Sequence, residues 1–113
     1  MSKITIRPAE GTWVVRAGGA VIGETNDAKE LHETGHDPVI YFPRADVAMA
    51  FLDRSDRSTH CPLKGDAAYF SIVSKSRTYT DAVWTYETPS GDAAEIAGHL
   101  AFHQQDGVTV EQV

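Results

Sequence analysis

The stretch Thr12–Thr25, TWVVRAGGAVIGET, decides the fold. Before Gly18-Gly19, Thr12–Arg16 is a short, β-branched and alternating segment. Alternation sends successive side chains to opposite faces of a strand, and β-branched residues suit that pleated surface. A Gly-Gly pair accepts the positive φ that a tight hairpin turn demands. The stretch therefore predicts a hairpin, Thr12–Ala17 against Ala20–Thr25, and no helix. Moving outward, Ile4–Arg7 repeats the period of two, and Ala28–Glu33 is expected to be a third strand in preference to a helical turn. Gly35-His36-Asp37-Pro38 is a loop, because the residue before proline avoids the helical region. Val39-Ile40-Tyr41-Phe42 then has the make-up of a buried strand.

The period changes at Arg44–Leu52. Val47, Ala50 and Phe51 recur at helical spacing with Pro43 at the start, which predicts one short helix. Asp53–Ser58 is charged and predicts a surface connection. Strands resume at Thr59–Cys61 and Ala67–Val73, Ser74–Arg77 turns the chain, and a further strand surrounds Ala82–Tyr86. After the break at Pro89-Ser90-Gly91, one helical turn is expected over Asp92–Ala97. The Asp106-Gly107 dipeptide then predicts a closing hairpin between His99–Gln104 and Val108–Gln112. The sum is a mainly β single domain over 1–113, with many short strands in coiled, barrel-like sheets and one or two short helices.

The whole chain narrows the function classes. At 113 residues it supports one core. A net charge of −6 repels a duplex and an anionic membrane, so neither nucleic acid nor membrane is an expected partner. No apolar run approaches the ~20 residues of a membrane span. The N-terminal MSKITIRPAE lacks an apolar signal core, so export is not expected. One cysteine makes no internal disulfide, and the reducing cytoplasm is the expected compartment. The assembly expected is a monomer or weak homodimer.

Chemistry-bearing residues concentrate in Thr59–Phe70, THCPLKGDAAYF. His60 and Cys61 suggest a thiol with its base. Neighbouring side chains of a strand point apart, however, so a strand here denies them a direct dyad. Cys61 then faces the core as a small hydrophobe. His60 faces the other side, together with Lys64 beyond the turn. No metal or other cofactor is expected. His32–His36 spans Gly35, and on a strand His99 and His103 stand ~13 Å apart. There is no Walker or GxGxxG motif. Arg44 and Lys64 each follow a strand, and Tyr41, Tyr69, Trp84 and Tyr86 supply flat faces with polar tips. Cations beside aromatic rings hold a planar anion, a guanidinium taking the carboxylate or phosphate while the rings stack.

Several elements in order are also distinctive: Tyr41-Phe42-Pro43-Arg44-Ala45-Asp46-Val47, Thr59-His60-Cys61-Pro62-Leu63-Lys64-Gly65, Ala68-Tyr69, Ala82-Val83-Trp84-Thr85-Tyr86, and Ile96-Ala97-Gly98 followed by Ala101-Phe102. Over nearly its whole length the chain resembles the domain-of-unknown-function family 427, small, mainly bacterial proteins that carry a nucleotidyltransferase-like label. The resemblance implies a compact domain of coiled sheets like the Mss4-like β-folds, and no established activity. Metal-dependent nucleotidyl transfer needs two or three carboxylates converging on Mg²⁺. Here Gly18-Gly19 is followed by Asp27 alone, and Asp-x-Asp occurs nowhere. The resemblance also implies an aromatic residue where His103 stands.

The expected function is binding of a small anionic or nucleotide-like ligand in a β-cleft lined by Tyr41, Arg44, His60, Lys64, Tyr69 and Trp84, with Cys61 nearby. The alternatives are a transferase-like enzyme using His60 or Cys61, and a protein-interaction module.

Overall fold

The computed structural model describes residues 3–113, so Met1 and Ser2 of the stretch read for an export signal lie outside it. Its strands are β1 (Ile4–Pro8), β2 (Trp13–Ala17), β3 (Ala20–Thr25), β4 (Lys29–Glu33), β5 (Val39–Tyr41), β6 (Leu52–Cys61), β7 (Gly65–Val73), β8 (Thr78–Tyr86), β9 (Leu100–Phe102) and β10 (Val108–Gln112). They form three antiparallel sheets, ordered β1-β4-β5, β10-β2-β3 and β6-β7-β8-β9. The protein is mainly β, and among the described residues no sheet closes into a barrel.

The Gly18-Gly19 hairpin forms as its residues require. Ala17 pairs with Ala20, and the two glycines take φ of +59° and +84°. The strand expected at Ala28–Glu33 occupies Lys29–Glu33 and joins β1 to β5. Ser74–Arg77 turns the chain between β7 and β8, with Ser74 N–H donating to the Arg77 carbonyl at 2.9 Å.

Two sheets are continuous through one bridge. Phe42 and Leu100 exchange backbone hydrogen bonds of 2.8 Å each, which sets the β5 end of one sheet beside β9 of another. Period-two alternation then sorts side chains into two clusters. Phe42, Phe70, Ile72, Val83, Leu100 and Phe102 face a core that includes Val15, Ile22 and Val108 of the β10-β2-β3 sheet. Tyr41, Ala67, Tyr86 and Ala101 face the other way and bury against Ile4 and Leu31 of β1 and β4 and against Ala93 and Ile96. No helix of the described residues is long and apolar enough to cross a membrane.

Three expectations need correction, and the expected helical turn near Asp92 forms with shifted bounds. The helix over Arg44–Leu52 is two separate 3₁₀ turns, Arg44–Asp46 and Met49–Phe51. Val47 between them is extended because it bridges Gly23, and Ala48 N–H donates to the Ile22 carbonyl at 2.8 Å. Pairing to the β3 edge overrides the local helical spacing. The expected connection Asp53–Ser58 belongs to strand β6, where charged residues are tolerated because β6 ends the sheet and faces solvent. The turn over Asp92–Ala97 is a 3₁₀ segment at Gly91–Ile96. At the C-terminus the Asp106-Gly107 turn exists, closed by Gln105 against Val108. Its arms diverge, however: β9 pairs with β8 and β10 with β2.

Candidate functional site

The site is built on the cross-strand pair Tyr69 and Trp84, which stand opposite one another on β7 and β8. Both lie on the face of the smaller core cluster and pack against it without being buried. Two irregularities flank this pair. On β6, Arg54 pairs with Phe70 and Ser58 with Ala68, so Ser55, Asp56 and Arg57 all stand opposite Tyr69. On β8, Val83 pairs with Phe70 and Tyr79 with Ile72, so Thr80, Asp81 and Ala82 stand opposite Ser71. Bulges bend a strand and re-aim side chains, and they gather beside functional sites. The first swings the Arg57 guanidinium over the Tyr69 ring, 4.9 Å from its centroid. The second holds Asp81 at φ +53°, with its N–H donating to Ser71 Oγ at 3.1 Å.

These residues share a cleft of about 480 Å³ with Val39, Tyr41, Lys64, Thr80, Tyr86 and His103. Tyr41 closes the floor: its hydroxyl accepts from Trp84 Nε1 at 3.2 Å, and the two rings meet edge-to-face at 6.5 Å. Thr59 Oγ1 and the Tyr69 hydroxyl are 2.9 Å apart, which holds that ring upright. Lys64 Nζ donates to Glu33 Oε1 at 2.9 Å and sits 5.6 Å from the Tyr86 ring centroid. Burial raises the Tyr41 phenol well above its ordinary value, against the lowering effect of the Trp84 hydrogen bond. Burial also pushes Tyr86 up to about 12, helped by Cys61, Tyr69 and Glu33. Both phenols therefore stay neutral hydrogen-bonding groups near pH 7.

Of the residues singled out from the sequence, the structure brings Tyr41, Lys64, Tyr69 and Trp84 together. Arg44 is elsewhere. It shares Glu87 with Arg54, at 3.7 and 3.2 Å, and both guanidiniums lie over Phe70, on the opposite side of β7 from Tyr69. His60 also lies outside, 70% exposed and 2.7 Å from Asp66 directly across the β6–β7 pair. Cys61 is half-buried and packs against the smaller core cluster, so the two neighbours face opposite ways. Lys64 does not accompany His60. The Pro62–Gly65 turn folds it back to Glu33 and Tyr86, on the Cys61 side.

The residues missed were Arg57 and Asp81, with His103 weighed only as a metal ligand. Arg57 was hidden in the charged run DRSDRS. Asp81 did leave a signal: the alternation Tyr79, Asp81, Val83 puts a carboxylate in phase with two core residues. A polar residue at a core phase marks a bulge or a site. Among the described residues no three of His, Cys, Asp and Glu gather as metal ligands, and Asp81 is the cleft's one acidic lining residue.

A comparison with the curated proteins finds no match. The sequence model of a family described as a domain of unknown function, DUF427, and labelled NTP_transf_9, matches residues 5–113. With all but its first four residues matched, the chain belongs to the DUF427 family.

Proposed function

We propose that the cleft binds a small organic ligand bearing a carboxylate or phosphate on a planar or apolar body. One observation carries this reading. Arg57 has no carboxylate within ion-pair distance among the described residues, yet its guanidinium is held at the cleft over Tyr69. A guanidinium stacked on a ring keeps its N–H edge free for a bidentate anion. Trp84 and Tyr86 offer the body of the ligand an apolar wall, and Lys64 adds a second cation, matched by Glu33. The opposed directions of His60 and Cys61 favour binding over thiol catalysis. In this reading the acting unit is one cytoplasmic domain.

Calorimetric titration with carboxylic acids and nucleoside monophosphates tests the reading. Binding by the native chain and its loss in Arg57→Ala, at an unchanged melting temperature, is the expected result. Equal binding by Arg57→Ala contradicts it.

A further inference from the structure

We propose, resting on that reading, that the cleft selects a zwitterion of the α-amino-acid class: Arg57 takes the carboxylate, Asp81 the ammonium, and the aromatic wall the side chain. The two charged residues come from the two bulges that flank Tyr69, one on each neighbouring strand. Strands two apart run roughly 10 Å from each other, so side chains reaching inward from β6 and β8 leave a gap the size of a small molecule's head group. Both line the one cleft, and neither pairs with the other or with any further charge among the described residues. Two opposite charges left apart in one concavity suit a ligand that carries both.

Charge balance favours the same class. Arg57 and Lys64 are offset by Asp81 and Glu33, so the formal charge around the cleft is zero. A phosphate dianion at Arg57 also faces the Asp81 carboxylate, and a simple amine at Asp81 faces the guanidinium. A zwitterion meets an opposite charge at each end. The backbone adds a further observation. Asp81 is the one non-glycine residue with positive φ among those described, and its amide is tied to Ser71. That conformation is uncommon outside glycine, and its occurrence at a cleft is a pointer to function.

The test is calorimetry on the full chain at pH 7 with the L-amino acids, the N-acetyl and carboxamide derivatives of the tightest binder, and AMP. The expected result is that a free amino acid binds and that acetylation and amidation each weaken it about tenfold or more, the loss of one charge-assisted contact. Asp81→Asn should bind the free and N-acetyl forms alike, and Arg57→Gln the free and carboxamide forms alike. Asparagine tolerates the left-handed conformation, so the first variant keeps its fold. If AMP or the N-acetyl form binds the native chain as tightly as the free amino acid, and only Arg57→Gln loses it, the zwitterion is overturned and the anion reading stands. If no amino acid binds, the zwitterion is overturned. If AMP and simple carboxylic acids are silent as well, the reading beneath it falls too.

Discussion

Single residues in this protein divide by whether their charge is matched. Lys64 and Glu33 are only 13% and 16% exposed and hold one another at 2.9 Å. Removing one leaves the other partly desolvated and alone, which costs about 1–3 kcal/mol. Lys64→Met should therefore lower stability by that amount in urea unfolding, and adding Glu33→Gln should restore part of it. The exposed His60–Asp66 pair is screened by water, so His60→Ala should leave the melting temperature almost unchanged. Tyr86 gives a pH signature. Its folded value is about 12 against an ordinary 10.0. Below pH 10 both states keep the proton and stability is whole. As pH rises from 10 to 12 the unfolded chain releases the proton first, so stability falls and this contribution is lost. Tyr86→Phe should flatten that alkaline decline, measured by urea midpoints across the range.

At the scale of elements, the bulges decide both the site and the legibility of the sequence. Period two and the Gly-Gly turn identified the strands at Trp13–Ala17 and Ala20–Thr25, and an unbroken apolar run identified Val39–Tyr41, because each pairs with at most a one-residue bulge. Of β6 only the Thr59–Cys61 end was legible, because the charged residues before it stand on an exposed edge and its bulge breaks the alternation. Nor did local spacing foresee that Val47 would leave a helix to bridge Gly23. Such pairings are long-range, and no local rule contains them. The bulge on β8 also makes a prediction. Asp81→Val should destabilise by about 1–2 kcal/mol, since a β-branched residue resists positive φ. Asp81→Gly should hold or raise stability while losing the proposed ammonium partner. At the last turn, Gly107 has φ +92°, and a Cβ there would lie 2.6 Å from the Tyr79 hydroxyl. Gly107→Ala should cost at least about 1 kcal/mol in thermal or urea unfolding.

For the whole molecule, the joining of two sheets at Phe42 and Leu100 is what creates a cleft. It brings Tyr41 of β5 to Trp84 of β8, residues separated by 43 positions. The sequence showed the aromatic and cationic residues but not which strands are neighbours. It therefore grouped Arg44 and His60 with residues that face elsewhere, and passed over Arg57 and Asp81. Phe42 and Phe102 meet edge-to-face at 5.5 Å on the other side of that junction. Phe42 is fully buried, so Phe42→Ala should cost about 3–5 kcal/mol through lost burial and the cavity left behind, measured by urea unfolding.

The most direct test of the cleft as a ligand site is a ¹H–¹⁵N spectrum of the side-chain N–H groups during titration with a pool of L-amino acids and AMP. The chain has two tryptophans, so it shows two indole signals, and Trp13→Phe assigns them. The Trp84 indole and the Arg57 Nε–H signals should move together and saturate while Trp13, bonded to the Glu10 carbonyl, shifts less. Shifts that leave Trp84 and Arg57 in place, whether absent altogether or confined to the Arg44–Phe70 face, would contradict binding at this cleft.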